Sequence, residues 1–168
     1  GLAGYLQERH GMYLNGILLI SSILDFQTAR FVPGNDLPFA LFLPTYAATA
    51  WYHKRLPEDL QADLGKTLAE AEAFAENEYT LALMRGSRLQ GETRAQIVAK
   101  LARLTGLSPD YLEATDLRIQ NHRFVKELLR VEGRTTGRLD TRFKGIDRDA
   151  AGESFEFDPS LSAITGPY

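Results

Sequence analysis

The chain has 168 residues, enough for one domain with a sizeable core. Its 19 lysines and arginines stand against 22 aspartates and glutamates, and the net charge of −3 gives no electrostatic case for nucleic acid or an anionic membrane. There is no cysteine, which excludes disulfides and thiolate metal sites and leaves the redox compartment open.

Residues 1–10 (GLAGYLQERH) read as the second half of an amphipathic helix. Leu2, Tyr5 and Leu6 share one face, while Gln7, Glu8 and Arg9 turn to water. No N-cap residue or initiator Met precedes them, so the expectation is of a protein entered in mid-element. Gly11 stops this helix. Ile17-Leu18-Leu19-Ile20 follows, bounded by Gly16 and Ser21-Ser22. Four apolar residues in a row predict a strand buried on both faces, as in the centre of a mostly parallel sheet. Few other segments of the chain read as strands, which predicts neighbours from missing core segments or another copy of the chain. Ser22 and Asp25 then fall at the carboxyl end of the strand, where open α/β sheets place ligands. The competing reading of Asp25 is that it caps its own turn. Pro33, Gly34, Asn35 and Pro38 mark an irregular stretch.

From Leu37 onward the pattern is mainly helical. Leu37–Tyr52 is the longest apolar stretch; it falls short of the ~20 residues of a membrane span and contains Pro44. Phe39, Phe42, Leu43, Tyr46, Ala47, Ala50 and Trp51 form a buried helical stripe, with a kink or restart expected at Pro44. Pro57 with Glu58 and Asp59 opens a long helix on Leu60, Leu64, Leu68, Ala71, Ala75, Tyr79 and Ala82, stopping at Gly86. Unbroken, it would be ~43 Å long. Its Glu70, Glu72, Glu76 and Glu78 read as a solvated face, since no histidine lies within reach along the helix. A third helix is expected near Glu92–Leu104. Ser108 caps a fourth, with Pro109 at its first position and Leu107 stapled to Leu112. A fifth uses Leu117, Phe124, Val125, Leu128 and Leu129 and ends at Gly133. Residues 138–143 alternate like an exposed strand or hairpin arm, and the tail from Gly145 carries turn residues.

The sequence holds no complete catalytic site. Nucleophile-elbow, dinucleotide and P-loop motifs are absent, and none of the seven serines lies on a sharp strand-to-helix turn with flanking glycines. His10, His53 and His122 lie on separate elements, so neither a metal nor any other cofactor is implied. Residues 97–113 have the rhythm of a helix-turn-helix. Asp110, Glu113 and Asp116 on its second helix would face phosphates, so a helix hairpin in a cap is the better reading.

Four windows in order carry a family resemblance: residues 11–26 (GMYLNGILLISSILDF), 44–53 (PTYAATAWYH), 137–143 (GRLDTRF) and 166–168 (GPY). The first resembles the segment after the nucleophile helix in serine carboxypeptidase-like peptidases (peptidase family S10) of the α/β-hydrolase superfamily. The second is similar to the aromatic start of the cap in the bacterial branch of that family, and the last two to segments leading out of the cap. The resemblance implies an α/β fold: a piece of an α/β-hydrolase, predominantly helical because it is mostly cap. Residues 1–30 would belong to the core, 31–133 to the helical cap and 134–168 to the segment returning to the core. It implies a parent enzyme that hydrolyses C-terminal peptide bonds through an acyl-enzyme, and whose family members are usually exported. The elbow serine would lie upstream of residue 1 and the aspartate and histidine beyond Tyr168, so no catalytic residue is expected here. Ser22, Asp25, Tyr46, Trp51, Tyr52 and His53 would fall at or near the rim of the substrate pocket. A self-contained helical interaction module, or the cap of a related esterase, is the alternative.

Overall fold

A computed structural model describes residues 1–165. Their fold is mainly helical, with one two-stranded antiparallel sheet. The expected opening helix is α1 (Leu2–His10), closed by Gly11 in the left-handed conformation, and none of its residues is buried. Ile17–Ile20 forms no strand. The four side chains are 63–94% exposed, and the backbone groups of residues 13–24 make no hydrogen bond to the rest of the described chain. The strand expected from the sequence is thus corrected. An isolated strand leaves two rows of backbone donors and acceptors unpaired, and these residues find no edge to join.

The core begins with α2 (Leu37–Tyr52), which buries Leu43, Tyr46, Ala47 and Ala50 almost completely. Of the kink or restart expected at Pro44, the restart does not occur: α2 runs through it for 16 residues, ~24 Å. Burial on the neighbouring helices outweighs the lost backbone hydrogen bond.

The single long helix expected over Pro57–Arg85 is divided. A short α3 (Glu58–Gln61) follows Pro57, and Asp63 then starts α4 (Leu64–Phe74) by accepting a hydrogen bond from the Lys66 amide at 3.2 Å. A π-helical turn, Ala75–Tyr79, leads into α5 (Thr80–Arg85). The Thr80 hydroxyl caps the displaced Ala75 carbonyl at 2.7 Å, so the widened turn keeps its acceptor satisfied. α2 packs against α4, the π turn and α6 (Gly91–Thr105). Gly106 ends α6 at φ 69°. A Cβ there would come within 2.7 Å of the Arg55 side chain, so both conformation and space require glycine.

Ser108 caps α7 (Pro109–Ala114) as expected, accepting from the Tyr111 amide at 3.2 Å, and Leu107 and Leu112 are both buried. The fifth helix is shorter than expected: α8 covers Asn121–Glu127, and Leu117 lies outside it at φ 64°. The sheet pairs β1 (Thr135–Thr136) with β2 (Lys144–Gly145), so residues 138–142 are the connecting turn and not a strand arm. Asp140 shapes that turn by accepting from the Arg142 amide and guanidinium. The last described element is α9 (Pro159–Thr165), which packs on both strands where the sequence signals only turns. Its missed start signal is Asp158, whose carboxylate accepts from the Ser160 amide at 3.0 Å and hydroxyl at 2.5 Å. The Gly166-Pro167-Tyr168 window lies outside the described residues.

Candidate functional site

The helical body begins where the exposed segment meets it, in the loop before α2. Asp25 accepts a hydrogen bond from the Gln27 amide at 2.9 Å and opens a single 3-10 turn, Phe26–Thr28. This is the turn-capping geometry weighed against a ligand role. The Asn35 side-chain amide donates to the carbonyls of Gln27 and Arg30, both at 2.8 Å, and gathers the loop. Phe31 packs edge-on against Phe39 and Phe42, at 5.1 and 5.2 Å between ring centres. Asp36 closes the loop with a two-pronged ion pair to Arg118, at 2.8 and 2.9 Å.

A cleft of about 520 Å³ lies between this loop and the segment joining α7 to α8. Phe31 and Phe39 form its apolar side; Arg118, Gln120 and Arg123 form its polar side. Arg118 also bonds the Asp116 carboxylate at 2.9 Å, and Asp116 in turn pairs with Arg94 at 3.0 Å. Asp116 and Leu117 have φ of 49° and 64°, which strains residues that carry a Cβ. The buried Tyr79 hydroxyl donates to the Leu117 carbonyl at 2.5 Å and holds this turn in place. Burial raises the Tyr79 pKa, so the hydroxyl keeps its proton and remains a donor. Tyr79→Phe is expected to cost about 1–2 kcal/mol in chemical denaturation, because a buried carbonyl loses its partner. A change under about 0.5 kcal/mol, the level of an ordinary surface substitution, would mean that the bond does not hold the turn.

The sequence-derived rim residues do not converge. Ser22 is exposed in the unpaired segment and Asp25 is occupied in its turn. Tyr46 is buried in the core. It stacks on Phe124 at 4.2 Å and donates to the Ile119 carbonyl at 3.0 Å, and burial holds its pKa well above the ordinary phenol value. Trp51 and Gln61 exchange reciprocal bonds, indole to Gln61 carbonyl at 3.0 Å and Gln61 amide to Trp51 carbonyl at 2.7 Å. Tyr52 is half exposed and meets the His53 ring edge-on at 5.1 Å. His53 Nε2 lies 2.7 Å from the Thr141 carbonyl, which requires the ring to carry its proton there and donate. With the Thr49–Thr141 hydroxyl contact at 2.9 Å, it ties α2 to the turn between the strands. Leu37, Leu41 and Tyr52 leave one flank of α2 exposed.

Neither Asp36 nor Arg118 was found from the sequence. The sequence marks the stretch around Asp36 only as irregular and that around Arg118 only as helix, and 82 positions separate the two. Among the described residues no histidine bonds a serine or pairs with a carboxylate, and no three potential metal ligands cluster. No helix of the described residues is long and apolar enough to cross a membrane. Among the described residues the site is therefore a braced cleft without a serine–histidine pair. No family model, curated protein or solved structure matches the chain.

Proposed function

We propose that this chain is the helical cap, with an adjoining segment of the core, of a serine carboxypeptidase-like α/β-hydrolase that releases C-terminal residues from peptides through an acyl-enzyme. The observation that carries the reading is the contrast between two parts of one chain. Residues 31–165 contain a helical body with a continuous buried core, whereas Ile17–Ile20 is apolar on both faces and exposed on both. Such a segment is satisfied inside a sheet, with strands on each side and helices above and below. The rival reading, a self-contained helical module, requires this chain's own helices to cover Ile17–Ile20.

In the proposed enzyme the serine, histidine, aspartate and oxyanion donors lie on segments outside this chain, and a peptide is the substrate. The cap's part is to shape access and exclude water, which strengthens electrostatic stabilisation of the transition state by the core. The exposed flank of α2 at Leu37, Leu41 and Tyr52 supplies an apolar face toward the core.

Two measurements test this. A fluorophosphonate probe is expected to leave the 168-residue chain unlabelled, and stoichiometric labelling at Ser22 or any other serine would overturn the division of labour. Expressed with the sequence that flanks it in its reading frame, the protein is expected to release C-terminal residues from N-blocked dipeptides. Ester hydrolysis without peptide hydrolysis would favour the esterase cap instead.

A further inference from the structure

A cavity of about 220 Å³ lies between the end of α8 and the segment after β2. Four cationic side chains line it, Lys126, Arg130, Arg134 and Arg148, against two carboxylates, Asp147 and Asp149. Both carboxylates are held by hydrogen bonds, Asp147 on both oxygens and Asp149 on Oδ1 alone. Asp147 is taken up by the Lys126 ammonium at 2.6 Å and by the amides of Arg148, Glu156 and Phe157 at 2.9–3.1 Å. Asp149 accepts from the amides of Ala151 and Gly152 at 2.8 and 2.6 Å. Lys126 is itself 3% exposed and its ammonium also reaches the Asp149 carbonyl at 2.5 Å, so the wall of the cavity is fixed.

The arginines are less well matched. Arg130 pairs with Glu127 at 2.5 Å and spends its other nitrogens on the carbonyls of Ala150 and Gly152. Arg148 meets Glu156 only at 3.8 Å, and Arg134 has no side-chain partner among the described residues. Two arginines without a close ion pair therefore line a concave space that also carries the Asp149 carboxylate.

We propose that this cavity binds a compact oxyanion of the phosphate class. Its volume is that of roughly seven waters at ~30 Å³ each, room for a tetrahedral oxyanion that keeps some hydration. Guanidinium groups suit such a ligand because their planar donors pair two oxygens at once. Lys126 is a structural cation here, and Arg134 and Arg148 are the ligand-facing pair. The inference is independent of the proposed peptidase, since it uses only groups on α8 and the two segments beside it.

The test is titration of the 168-residue protein with inorganic phosphate, by calorimetry and thermal shift, against sodium chloride of equal ionic strength. Phosphate is expected to bind saturably and raise Tm where chloride does not. Arg134→Gln/Arg148→Gln is expected to weaken binding by about tenfold or more, the loss of one or two charge-assisted bonds, with its ligand-free Tm unchanged because both side chains lie at the surface. Chloride matching phosphate, or an undiminished affinity in the double variant, would overturn the proposal.

Discussion

Asp147→Ala is expected to destabilise the protein by about 3 kcal/mol, because it strands the Lys126 ammonium in a buried position. Lys126 and Asp147 are 3% and 5% exposed, and an uncompensated buried charge costs far more than the pair itself contributes. The loss should be unequal between the partners. Lys126→Met leaves Asp147 with amide donors from Arg148, Glu156 and Phe157, so its cost should be about half, near that of one lost charge-assisted bond. Equal losses would mean that the amides contribute nothing to holding the carboxylate.

The same residue gives a pH signature. Burial pushes the Asp147 carboxyl up, but the Lys126 ammonium and the Glu156 and Arg148 amides pull it further down, so it titrates below the usual carboxylate value. A carboxyl depressed on folding stabilises above its unfolded pKa, near 3.9, and that contribution drains away as pH falls through its lower folded pKa. Urea midpoints of wild type and Asp147→Asn, measured from pH 6 downward, should therefore converge below about pH 4. Asp158 is also depressed, its burial outweighed by the Ser160 hydroxyl and the Arg138, Ser160 and Leu161 amides. It acts equally in both proteins and cancels in the difference. A gap that stays constant with pH would remove the carboxylate's charge from the account.

The pair shows where sequence reading ends. Helix boundaries that announce themselves locally were legible: Ser108-Pro109 before α7, the apolar run of α2, and Gly11 and Gly86 as stops. Each depends on residues within one turn of each other. Asp63 carried the same kind of signal but stood inside a longer apolar rhythm, which concealed the break between α3 and α4. Lys126–Asp147 and Asp36–Arg118 are 21 and 82 residues apart, and no spacing rule joins them. The rim residues failed to converge for a related reason. Aromatic side chains at helical spacing mark burial equally well whether they face a ligand or a core, and Tyr46 faces the core. Ile17–Ile20 is the opposite case. Its composition states what surroundings it needs, and the described residues do not provide them.

Leu18→Lys/Ile20→Lys is expected to turn a self-associating chain into a monomer without altering its thermal midpoint. The two side chains are 94% and 88% exposed and alternate with Ile17 and Leu19 along an unpaired backbone. An exposed run of this kind recruits other copies edge to edge, and charge on it blocks that pairing. Sedimentation velocity at micromolar concentration should show oligomers for wild type and a single small species for the double variant. Neither side chain touches the helical core, so the monomer's stability should stay within about 0.5 kcal/mol. If helices of this chain covered the segment in solution, two buried lysines would instead lower Tm by well over 5 °C. The same substitutions have the opposite consequence in the proposed enzyme. With the flanking sequence restored, positions 18 and 20 would lie inside a sheet, and the double variant should fail to fold or lose peptidase activity altogether. A fully active long form carrying both lysines would remove Ile17–Ile20 from the sheet, and with it the reason to read the helical body as a cap.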